Sequence, residues 1–389
     1  MASTGAAHRT GVLLLTRNFP PLWGGMERLN WNLARQLAQR APLGIVGPEG
    51  CAREAPAQAA VSEVPLRPLW RFLLLASAKG LGMARQARPQ WVLAGSGLTA
   101  PLAWLAARAA GARCAAYVHG LDLAVAHPLY RTLWFAALRR MDAVIANSHA
   151  SAELARALGV PPQRLSVVYP GVDVAVPDSG ARERFRRQHG LGDAPVLLSV
   201  GRLSERKGLR EFVSEVLPGI ARSRPGVRLV VVGDVPAAAL HAKAQSISSI
   251  EQAAQAAGVG HCLMMLGRRF GEELTDAYAA ADVHVFPVRQ IPGDPEGFGM
   301  VAIEAAAQGV ATVAYATGGV VDAVAHGVSG LLVPPGDAQG FAAAVVRILD
   351  APPDAAGVRA FALGFAWERF GSQVWAALQG PQPDRGAAQ

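Results

Sequence analysis

Short apolar runs alternate with helical stretches along almost the whole chain, and this alternation constrains the fold more than any other feature. The runs have the character of buried strands, for example GVLLLT at 11–16 and VRLVVVGD at 227–234. Alternation of this kind is typical of βαβ units, whose parallel strands form one sheet with helices on its faces. The sequence therefore predicts an α/β fold.

The strands fall into two series. The first occupies 11–16, 43–47, 90–95, 113–120, 143–148 and 165–170, and the second occupies 194–202, 227–234, 261–267, 283–288, 310–316 and 330–336. Residues 171–190 between them are polar and interrupted by proline and glycine, as in a linker followed by a basic helix. A chain of 389 residues is also too long for one ordinary core. We therefore predict two Rossmann-like, doubly wound domains at 1–175 and 190–355.

The cysteines and the apolar runs indicate where the protein works. Cys51, Cys114 and Cys262 lie far apart and do not have the spacing of a metal site, which favours a reducing compartment. The first apolar run is too short for the hydrophobic part of a signal peptide. No apolar run approaches the ~20 residues that cross a bilayer. We therefore expect a cytoplasmic protein.

The net charge of +8 is unevenly distributed. Residues 1–170 contain 18 Lys and Arg against 7 Asp and Glu, whereas residues 171–389 contain 19 against 22. One interpretation is an arginine-rich composition, since only three of the 37 basic residues are lysines. The other is an N-terminal domain that meets an anionic partner, such as nucleic acid or a lipid surface. The charge alone leaves both interpretations open.

The segment 66–88 bears on the second interpretation. It combines an apolar cluster with five basic residues, namely Arg67, Arg71, Lys79, Arg85 and Arg88. Such a segment could lie on an anionic membrane and reach a lipid-linked acceptor. It could equally be a core helix whose arginines face solvent. Peripheral contact with an anionic membrane is therefore a hypothesis.

Ligands of doubly wound sheets bind beyond the carboxyl ends of the strands, so the residues that follow each strand are the candidates for a site. After the first strand, Gly24 and Gly25 stand where a loop turns into a helix, whose N-terminus suits a phosphate. An ordinary glycine turn would look the same. After the fourth strand, His119 could donate a hydrogen bond to a ligand or carry a proton, although single histidines also occur in cores.

Two cations follow the first strand of the second series. Arg202 and Lys207 are five positions apart on a turn that leads into a helix, a spacing that lets both converge on one anion. Arg and Lys can neutralise a diphosphate where no metal does so. The sequence contains no Asp-X-Asp pair, a common way to hold a divalent metal, which agrees with this interpretation. The alternative is a solvated basic loop.

Two glutamates lie around a glycine turn in DPEGFGMVAIEAAAQG at 294–309. The i−4, i−3 and i+3 helical neighbours of Glu304 are apolar, so we expect this carboxylate to be buried and to need a partner. Glu296 stands beside the turn, where the N–H groups of a helix start point outward. Either carboxylate could accept hydrogen bonds from a sugar diol. Either could also be structural, Glu296 as a capping acid and Glu304 in a buried ion pair.

The order of the motifs resembles that of glycosyltransferase family 4. The matching segments are GGMER, VHGLD, NS at 147–148, YPGVD, VGRLSERKG, VVVGD, LG at 266–267, EGFGMVAIEAAAQG, GG at 318–319 and GVSGLLVPPGD, and they run along most of the chain. Members of this family are retaining, metal-independent transferases of GT-B fold that use nucleotide-diphosphate sugars. The resemblance implies two Rossmann-like domains facing across a cleft, with a C-terminal helix at 356–380 that crosses back to the N-terminal domain.

The resemblance also implies roles for individual residues. Glu296 would contact hydroxyls of the donor sugar, Arg202 and Lys207 would hold the diphosphate, and His119 would lie near the reacting face of the sugar. These four are the predicted catalytic residues. The predicted donor-binding residues are Glu304 at the ribose, Gly24 and Gly25 at the diphosphate, Phe298, Gly299 and Met300 at the sugar and phosphate, and Gly267 and Arg268 at the base.

The implied reaction moves a hexose from a UDP- or GDP-sugar to a hydroxyl of a cell-envelope glycan or of a lipid-linked acceptor. The nucleotide sugar is a co-substrate, and neither a cofactor nor a divalent metal is expected. Three positions depart from the family pattern: a second glycine is missing after VVVGD, Val288 stands where a serine often occurs, and the loop RQIPGDP at 289–295 is longer than in many relatives. This loop could shape the choice of donor or acceptor, so the sugar is not assigned.

Two other classes of protein compete with the transferase. GSGLTA at 95–100, with Asp122 beyond it, imitates the fingerprint of an NAD(P)-dependent oxidoreductase but follows the wrong strand. The sequence pI of about 10.0 would suit a non-catalytic basic nucleic-acid-binding protein. However, the basic residues are scattered and form no known reader motif. We therefore favour the transferase and expect no nucleic-acid partner.

Overall fold

The computed structural model of the chain describes residues 11–174, 178–235 and 244–380. Part of the predicted linker, at 175–177, lies outside these residues. The described residues form two compact units. The first unit runs to Gly171 and also includes the segment that begins at Trp367, and the second unit spans Val172–Ala366.

The first unit contains a parallel sheet. Its strands are β1 (Val12–Leu15), β2 (Leu43–Pro48), β3 (Ala60–Val64), β4 (Trp91–Ala94), β5 (Arg113–Val118), β6 (Ala143–Ala146) and β7 (Leu165–Val167). Their order in the sheet is β3-β2-β1-β4-β5-β6-β7. In the register of the sheet, Leu13 of β1 lies between Gly44 of β2 and Val92 of β4. The strand order reverses between β1 and β4, as in a doubly wound sheet.

Helices cover both faces of the first sheet. They are α1 (Gly25–Ala38), α2 (Leu69–Ala87), α3 (Ala100–Ala110), α4 (Pro128–Arg139), α5 (His149–Ala157) and, from the C-terminal segment, α15 (Trp367–Gln379). One apolar core includes Phe72 of α2, Ala103 of α3 and Phe135 of α4. Helix α1 packs beside α15, where Arg40 just beyond α1 donates a hydrogen bond to Ser372 at 3.0 Å.

The second unit repeats this architecture with six parallel strands. They are β8 (Val196–Val200), β9 (Arg228–Val232), β10 (Leu263–Gly267), β11 (Val283–Phe286), β12 (Thr312–Tyr315) and β13 (Gly330–Val333), in the order β10-β9-β8-β11-β12-β13. Its helices are α6 (Ala181–Gln188), α7 (Leu209–Glu211), α8 (Leu217–Ser223), α9 (Ile247–Ala256), α10 (Gly271–Ala280), α11 (Met300–Ala307), α12 (Val320–Ala323), α13 (Ala338–Asp350) and α14 (Ala355–Leu363). A π-helical turn at Phe212–Val216 joins α7 to α8. Two doubly wound α/β sheets confirm the predicted fold class.

The second unit extends beyond the predicted domain limits of 190–355 at both ends. Helix α6 belongs to it because its arginines form ion pairs with carboxylates near α10, Arg184 with Asp276 at 2.7 Å and Arg186 with Asp282 at 2.8 Å. Helix α14 belongs to it because it packs against α11. Within the predicted segment 356–380, the first unit therefore contains α15 but not α14.

Each of the twelve predicted strands corresponds to an observed strand, and β3 is the strand that the sequence analysis missed. Its sequence, AVSEV, lacks a continuous apolar run, and Glu63 interrupts it. The reason is its position, because β3 is an edge strand that pairs with β2 alone, and its first four residues are not fully buried. An edge strand of this kind does not need the apolar sequence of a central parallel strand.

Candidate active site

The strand order of the second unit brings two distant segments together. The strands β8 and β11 are neighbours at the point where the order reverses, and ligands of such sheets bind beyond the strand ends at this point. The turn after β8 contains Arg206 and Lys207, and the loop after β11 leads to Glu296. Residues that are 89 positions apart in the chain thereby come into contact.

Three charged side chains form the centre of this edge. Lys207 Nζ donates a hydrogen bond to Glu296 Oε2 at 2.8 Å, and Arg206 Nη1 lies 3.3 Å from the same oxygen. Lys207 Nζ also lies over the ring of Phe286, 4.6 Å from its centroid. The side chains of Lys207 and Glu296 are only 15% and 10% exposed. A buried ion pair with this geometry has little water between its charges and is strongly held.

The charges of this cluster determine the ionisation of Glu296. Burial by itself would raise the pKa of the Glu296 carboxyl, but Arg206 and Lys207 outweigh burial and lower the pKa to about 2. Burial lowers the pKa of Lys207 from its ordinary value, while Glu296 opposes that shift. Glu296 is therefore a carboxylate at neutral pH and can only accept hydrogen bonds.

The structure places Arg202 on the same turn as Lys207, with its side chain exposed. Its positive charge contributes to the low pKa of Glu296, after those of Arg206 and Lys207. The structure thus brings Lys207 and Glu296 into direct contact and leaves Arg202 at the solvent side of the turn. The predicted role of Arg202 at a diphosphate stays a prediction.

Glu304 is half-buried, which differs from the fully buried side chain that its neighbours in sequence predicted. The reason is that α11 has a partly exposed stripe formed by Met300, Val301, Glu304 and Gln308, while Ala302 and other residues of α11 are buried. Glu304 Oε2 accepts a hydrogen bond from the hydroxyl of Tyr278 at 2.9 Å. The sequence analysis did not identify Tyr278, which lies on α10 and is 3% exposed.

The start of α11 requires glycine. Gly299 is the N-cap residue and has φ +95°, a left-handed conformation that glycine adopts readily. A Cβ at this position would lie 2.7 Å from the ring of Phe286. Gly319 packs so closely on the loop before α11 that a Cβ there would overlap the carbonyl of Gly297. These glycines bring backbone groups of the turn at 296–300 close to the strand ends.

Gly267 and Arg268 occupy the carboxyl end of β10, the edge strand of the second sheet. Gly267 has φ +68°, and its carbonyl accepts a hydrogen bond from Gly233 N–H at 2.9 Å. The side chain of Arg268 is exposed. Strand β9 separates these residues from β8, so they lie to one side of the Lys207–Glu296 pair. Their predicted contact with a nucleotide base stays a prediction.

His119 follows β5 in the first unit and is 6% exposed. Its Nε2 lies 2.9 Å from the carbonyl oxygen of Gly95, and its backbone N–H donates to Asp122 Oδ1 at 2.9 Å. The other oxygen of Asp122 accepts from Gly97 N–H at 2.6 Å. Asp122 therefore binds the backbone after β4, at Gly97, and the backbone after β5, at His119. In the oxidoreductase alternative Asp122 would contact a ribose, so these bonds argue against that alternative.

Gly24 and Gly25 stand at the start of α1, as the sequence predicts. The first turn of this helix contains Glu27, which accepts a hydrogen bond from Asn18 Nδ2 at 2.7 Å. A Cβ on Gly24 would meet a carboxylate oxygen of Glu27, the end of a flexible side chain that can move aside. The predicted phosphate contact of Gly24 and Gly25 stays a prediction.

Two family models match the chain, one in each half. Glycosyltransferase Family 4 matches residues 23–176, and Glycosyl transferases group 1 matches residues 194–351. A GDP-mannose-dependent alpha-(1-6)-phosphatidylinositol monomannoside mannosyltransferase of Mycolicibacterium smegmatis is 32% identical over 384 residues, which cover 94% of each chain. A D-inositol 3-phosphate glycosyltransferase of Geodermatophilus obscurus is 36% identical over 253 residues, which cover 64% of this chain and 54% of the relative.

Solved structures share the fold at lower identity. Anabaena HepE in complex with UDP and glucose matches with a TM-score of 0.79 at 22% identity, covering 95% of this chain and 100% of that one. The sucrose-phosphate synthase of Thermosynechococcus elongatus matches with a TM-score of 0.78 at 23% identity, covering 94% and 98%. The fold and the strand-end site together define a GT-B glycosyltransferase that uses a nucleotide sugar. The chain belongs to glycosyltransferase family 4, which confirms the predicted family and enzyme class.

Proposed function

We propose that this chain is a retaining, metal-independent hexosyltransferase that takes its sugar from a UDP- or GDP-sugar. Its acceptor is a hydroxyl of a cell-envelope glycan or of a lipid-linked molecule. The observation that carries the proposal is the buried contact of Lys207 and Arg206 with Glu296 at the switch point of the second sheet, beside the start of α11. This edge combines cations for a diphosphate with a carboxylate for sugar hydroxyls.

The chemistry needs charge stabilisation more than it needs a nucleophile. In the proposed reaction the acceptor hydroxyl attacks the anomeric carbon from the face on which the bond to the diphosphate breaks. The electron pair of that bond goes to the diphosphate oxygen, which also accepts the proton of the acceptor hydroxyl. Lys207 and Arg202 stabilise the charge on the leaving diphosphate, and Glu296 positions the sugar. The role of His119 at the reacting face of the sugar, which the family resemblance implies, stays a prediction.

The relatives indicate which donors to test first. The mannosyltransferase that matches over 94% of this chain is named for GDP-mannose, so GDP-mannose is the first donor to screen. UDP-glucose is the second, because the GT-B structure of HepE was determined with UDP and glucose. The acceptor named for the first relative is a phosphatidylinositol mannoside, which supports a lipid-linked acceptor for this chain.

Thermal stability with added nucleotide tests the donor site. UDP, GDP and ADP are added to the purified protein in EDTA, since a ligand that binds the folded state raises the melting temperature. We expect one nucleotide to raise it, and Glu304→Ala to abolish the shift. The control is Glu251→Ala, an exposed glutamate on α9 of the same unit, which should keep the shift. Absence of a shift with all three nucleotides at millimolar concentration would count against the donor site.

The anomeric configuration of the product tests the stereochemistry. The donors that bind are incubated with candidate acceptors in EDTA, and the product is examined by NMR. An α-linked product from GDP-mannose, an α-linked donor, indicates retention. An inverted product, or activity that returns only when Mg²⁺ or Mn²⁺ replaces EDTA, would overturn that part of the proposal.

An exposed apolar patch on the first unit supports a lipid surface as a partner. The patch consists of Trp70 and Leu74 on α2, Leu105 on α3, and Leu129 and Leu133 on α4, which are between 51% and 64% exposed. All five lie within the first six residues of their helices. These helices follow the carboxyl ends of parallel strands, so the apolar patch lies toward the edge of the sheet that bears His119.

Exposed basic side chains accompany the apolar patch on the same helices. Ten Arg and Lys residues between positions 65 and 141 are exposed, namely Arg67, Arg71, Lys79, Arg85, Arg88, Arg108, Arg113, Arg131, Arg139 and Arg140. Arg67, Arg71 and Arg131 lie near the first turns of α2 and α4, and six of the others lie at or beyond the opposite helix ends. The acidic residue in that range is Asp122, which is buried. Exposed tryptophan and leucine with basic neighbours suit the interface of an anionic bilayer. None of the helices in the described part of the chain is long and apolar enough to cross a membrane.

We therefore propose a cytoplasmic enzyme that contacts the inner face of the membrane through α2, α3 and α4. The test is cosedimentation with vesicles that contain phosphatidylglycerol, compared with neutral vesicles of phosphatidylcholine. Binding should be strongest on anionic vesicles, should weaken with salt, and should fall in the variant Trp70→Ser/Leu74→Ser. The matched control is Leu363→Ser on α14, a leucine that is 56% exposed in the other unit. Equal recovery in the supernatant with and without anionic vesicles would exclude this contact.

A further inference from the structure

Arg206 has no role in the sequence analysis, yet it is among the most enclosed charged groups of the second unit. Its side chain is 9% exposed. Its Nη1 donates a hydrogen bond to the carbonyl of Pro295 at 2.8 Å, and its Nε lies 3.4 Å from Asp294 Oδ1. A guanidinium in this position costs free energy to desolvate unless its surroundings compensate it. The compensation comes from Glu296 and from the loop that leads to it.

That loop is the segment 289–295, which follows β11 and leads to Glu296. Arg206 ties both of its ends. At the beginning, the carbonyl of Arg206 accepts a hydrogen bond from Arg289 N–H at 2.8 Å. At the end, the side chain of Arg206 bonds to Pro295 and lies beside Asp294. One residue in the turn after β8 therefore fixes the path of the loop that leads to Glu296.

Arg206 also shares Glu296 with Lys207. Both cations approach the same carboxylate oxygen, Lys207 at 2.8 Å and Arg206 at 3.3 Å. A diphosphate that binds at this edge competes with Glu296 for Lys207, because phosphate oxygens are strong acceptors from an ammonium group. If Arg206 were absent, a shift of Lys207 to the diphosphate would leave Glu296 as a buried carboxylate with no cation beside it. The contacts of Arg206 with Pro295 and Asp294 do not involve Lys207.

We propose that Arg206 is a positioning residue that holds the loop 289–295 and fixes the Glu296 carboxylate for the donor sugar while Lys207 binds the diphosphate. This inference rests on the proposed function, since it takes Glu296 to contact the sugar and Lys207 to contact the diphosphate. It gives the loop 289–295 a function, which is to set the position of the sugar-binding carboxylate. Arg206 acts through Glu296 and touches neither substrate.

The test compares the binding of a nucleotide diphosphate with the binding of the matching nucleotide sugar, both by calorimetry on the full chain. The variant Arg206→Lys keeps the charge but loses the forked contacts to Pro295 and Asp294. We expect its affinity for GDP or UDP to stay within about twofold of the wild type and its affinity for the nucleotide sugar to fall about tenfold. The control is Arg210→Lys, an exposed arginine that pairs with Glu211 at 2.9 Å.

A second variant tests the same arrangement with less disturbance of the fold. Asp294→Asn removes one charge from the loop. It should lower the affinity for the nucleotide sugar but not for the nucleotide diphosphate, by a smaller factor than Arg206→Lys. If Arg206→Lys does not fold, as judged by its circular dichroism and melting curve, Asp294→Asn alone decides the outcome. A merely structural residue would lower both affinities together.

The outcomes separate this inference from the function on which it rests. Selective loss of nucleotide-sugar binding supports the role of Arg206. If the wild type binds both ligands, an equal loss of affinity for both, or no loss of affinity for either, overturns the role of Arg206. If the wild-type chain binds neither the nucleotide diphosphate nor the nucleotide sugar, the proposed function itself is wrong.

Discussion

The carboxyl edges of the two sheets have the same topology but different chemistry. In the second unit, the edge is ionic, because Lys207, Arg206 and Glu296 are buried in mutual contact. In the first unit, the corresponding edge is held by backbone groups, since His119 and Asp122 bond mainly to peptide N–H and carbonyl groups. One topology therefore supports one strand-end edge held by buried charges and another held by hydrogen bonds to the main chain.

The outer surfaces differ in the same way. The first unit carries exposed basic and apolar side chains on α2, α3 and α4, whereas α6 of the second unit uses its arginines in ion pairs with Asp276 and Asp282. The basic side chains of α2, α3 and α4 are exposed and can contact an external partner, whereas Arg184 and Arg186 of α6 pair with carboxylates of the second unit. The two halves of the sequence contain nearly equal numbers of Lys and Arg, so the uneven net charge reflects the larger number of acidic residues in the second half.

The largest effect should come from the ionic edge. Lys207→Ala removes the cation that contacts Glu296 and, in the proposed mechanism, the diphosphate. We expect turnover to fall by a factor on the order of 10²–10³, the usual range for loss of one key charge-stabilising donor. Steady-state kinetics with the donor identified by the nucleotide screen measures it. The control is Arg210→Ala, which changes an exposed arginine just beyond the same turn. Near-wild-type turnover of Lys207→Ala would show that this lysine is not part of the site.

The contrast between the edges also explains what the sequence could predict. Central parallel strands are apolar on both faces, and these strands, together with the edge strands β7, β10 and β13, were visible as continuous runs. The half-exposed edge strand β3 was not, because Glu63 and its neighbours carry no such pattern. Lys207 and Glu296 of the ionic edge were named by resemblance, but their contact depends on β8 and β11 becoming neighbours, which no local pattern encodes.

Two supporting residues of the site could not be predicted for a similar reason. Arg206 resembles any other arginine of an arginine-rich chain, and only the path of the loop 289–295 shows what it holds. Tyr278 resembles an ordinary core aromatic, and its hydroxyl becomes informative only because α10 places it against Glu304. Burial of Glu304 was overestimated because the apolar stripe of α11 at Met300 and Val301 is partly exposed.

The second largest effect concerns stability and again contrasts the two units. Gly319→Ala places a methyl group against the carbonyl of Gly297, where the backbone has to move, so we expect destabilisation of about 1–3 kcal/mol. A methyl group on Gly82, on the exposed side of α2, would meet no neighbouring group of the described residues within 4 Å, so Gly82→Ala should stabilise by about 0.5–1 kcal/mol. Thermal melting of both variants measures the change in stability. Equal shifts of the melting temperature in the two variants would contradict the close approach at Gly319.

A third, smaller effect compares two buried tyrosines. Tyr278 donates to the Glu304 carboxylate at 2.9 Å, whereas Tyr117 in the first unit donates to the carbonyl of Val168 at 2.7 Å. Tyr278→Phe should weaken nucleotide binding roughly tenfold, because the lost bond is to a charged group that we propose holds the ribose. Tyr117→Phe should lower the melting temperature and leave nucleotide affinity unchanged. If the two variants bind nucleotide equally well, Tyr278 does not position Glu304.

The smallest effect is a pH dependence that belongs to the ionic edge. The pKa of Glu296 is lowered from 4.5 to about 2 in the folded protein, because Arg206 and Lys207 outweigh the opposing effect of burial. A depressed pKa in the folded state means that this carboxylate stabilises the fold fully above pH 4.5, and that the contribution is lost as the pH falls toward 2. The difference in melting temperature between the wild type and Glu296→Gln should therefore be largest near neutral pH and should narrow on acidification. A difference that stays constant from about pH 6 to about pH 3 would show that the ion pair does not control the ionisation of Glu296.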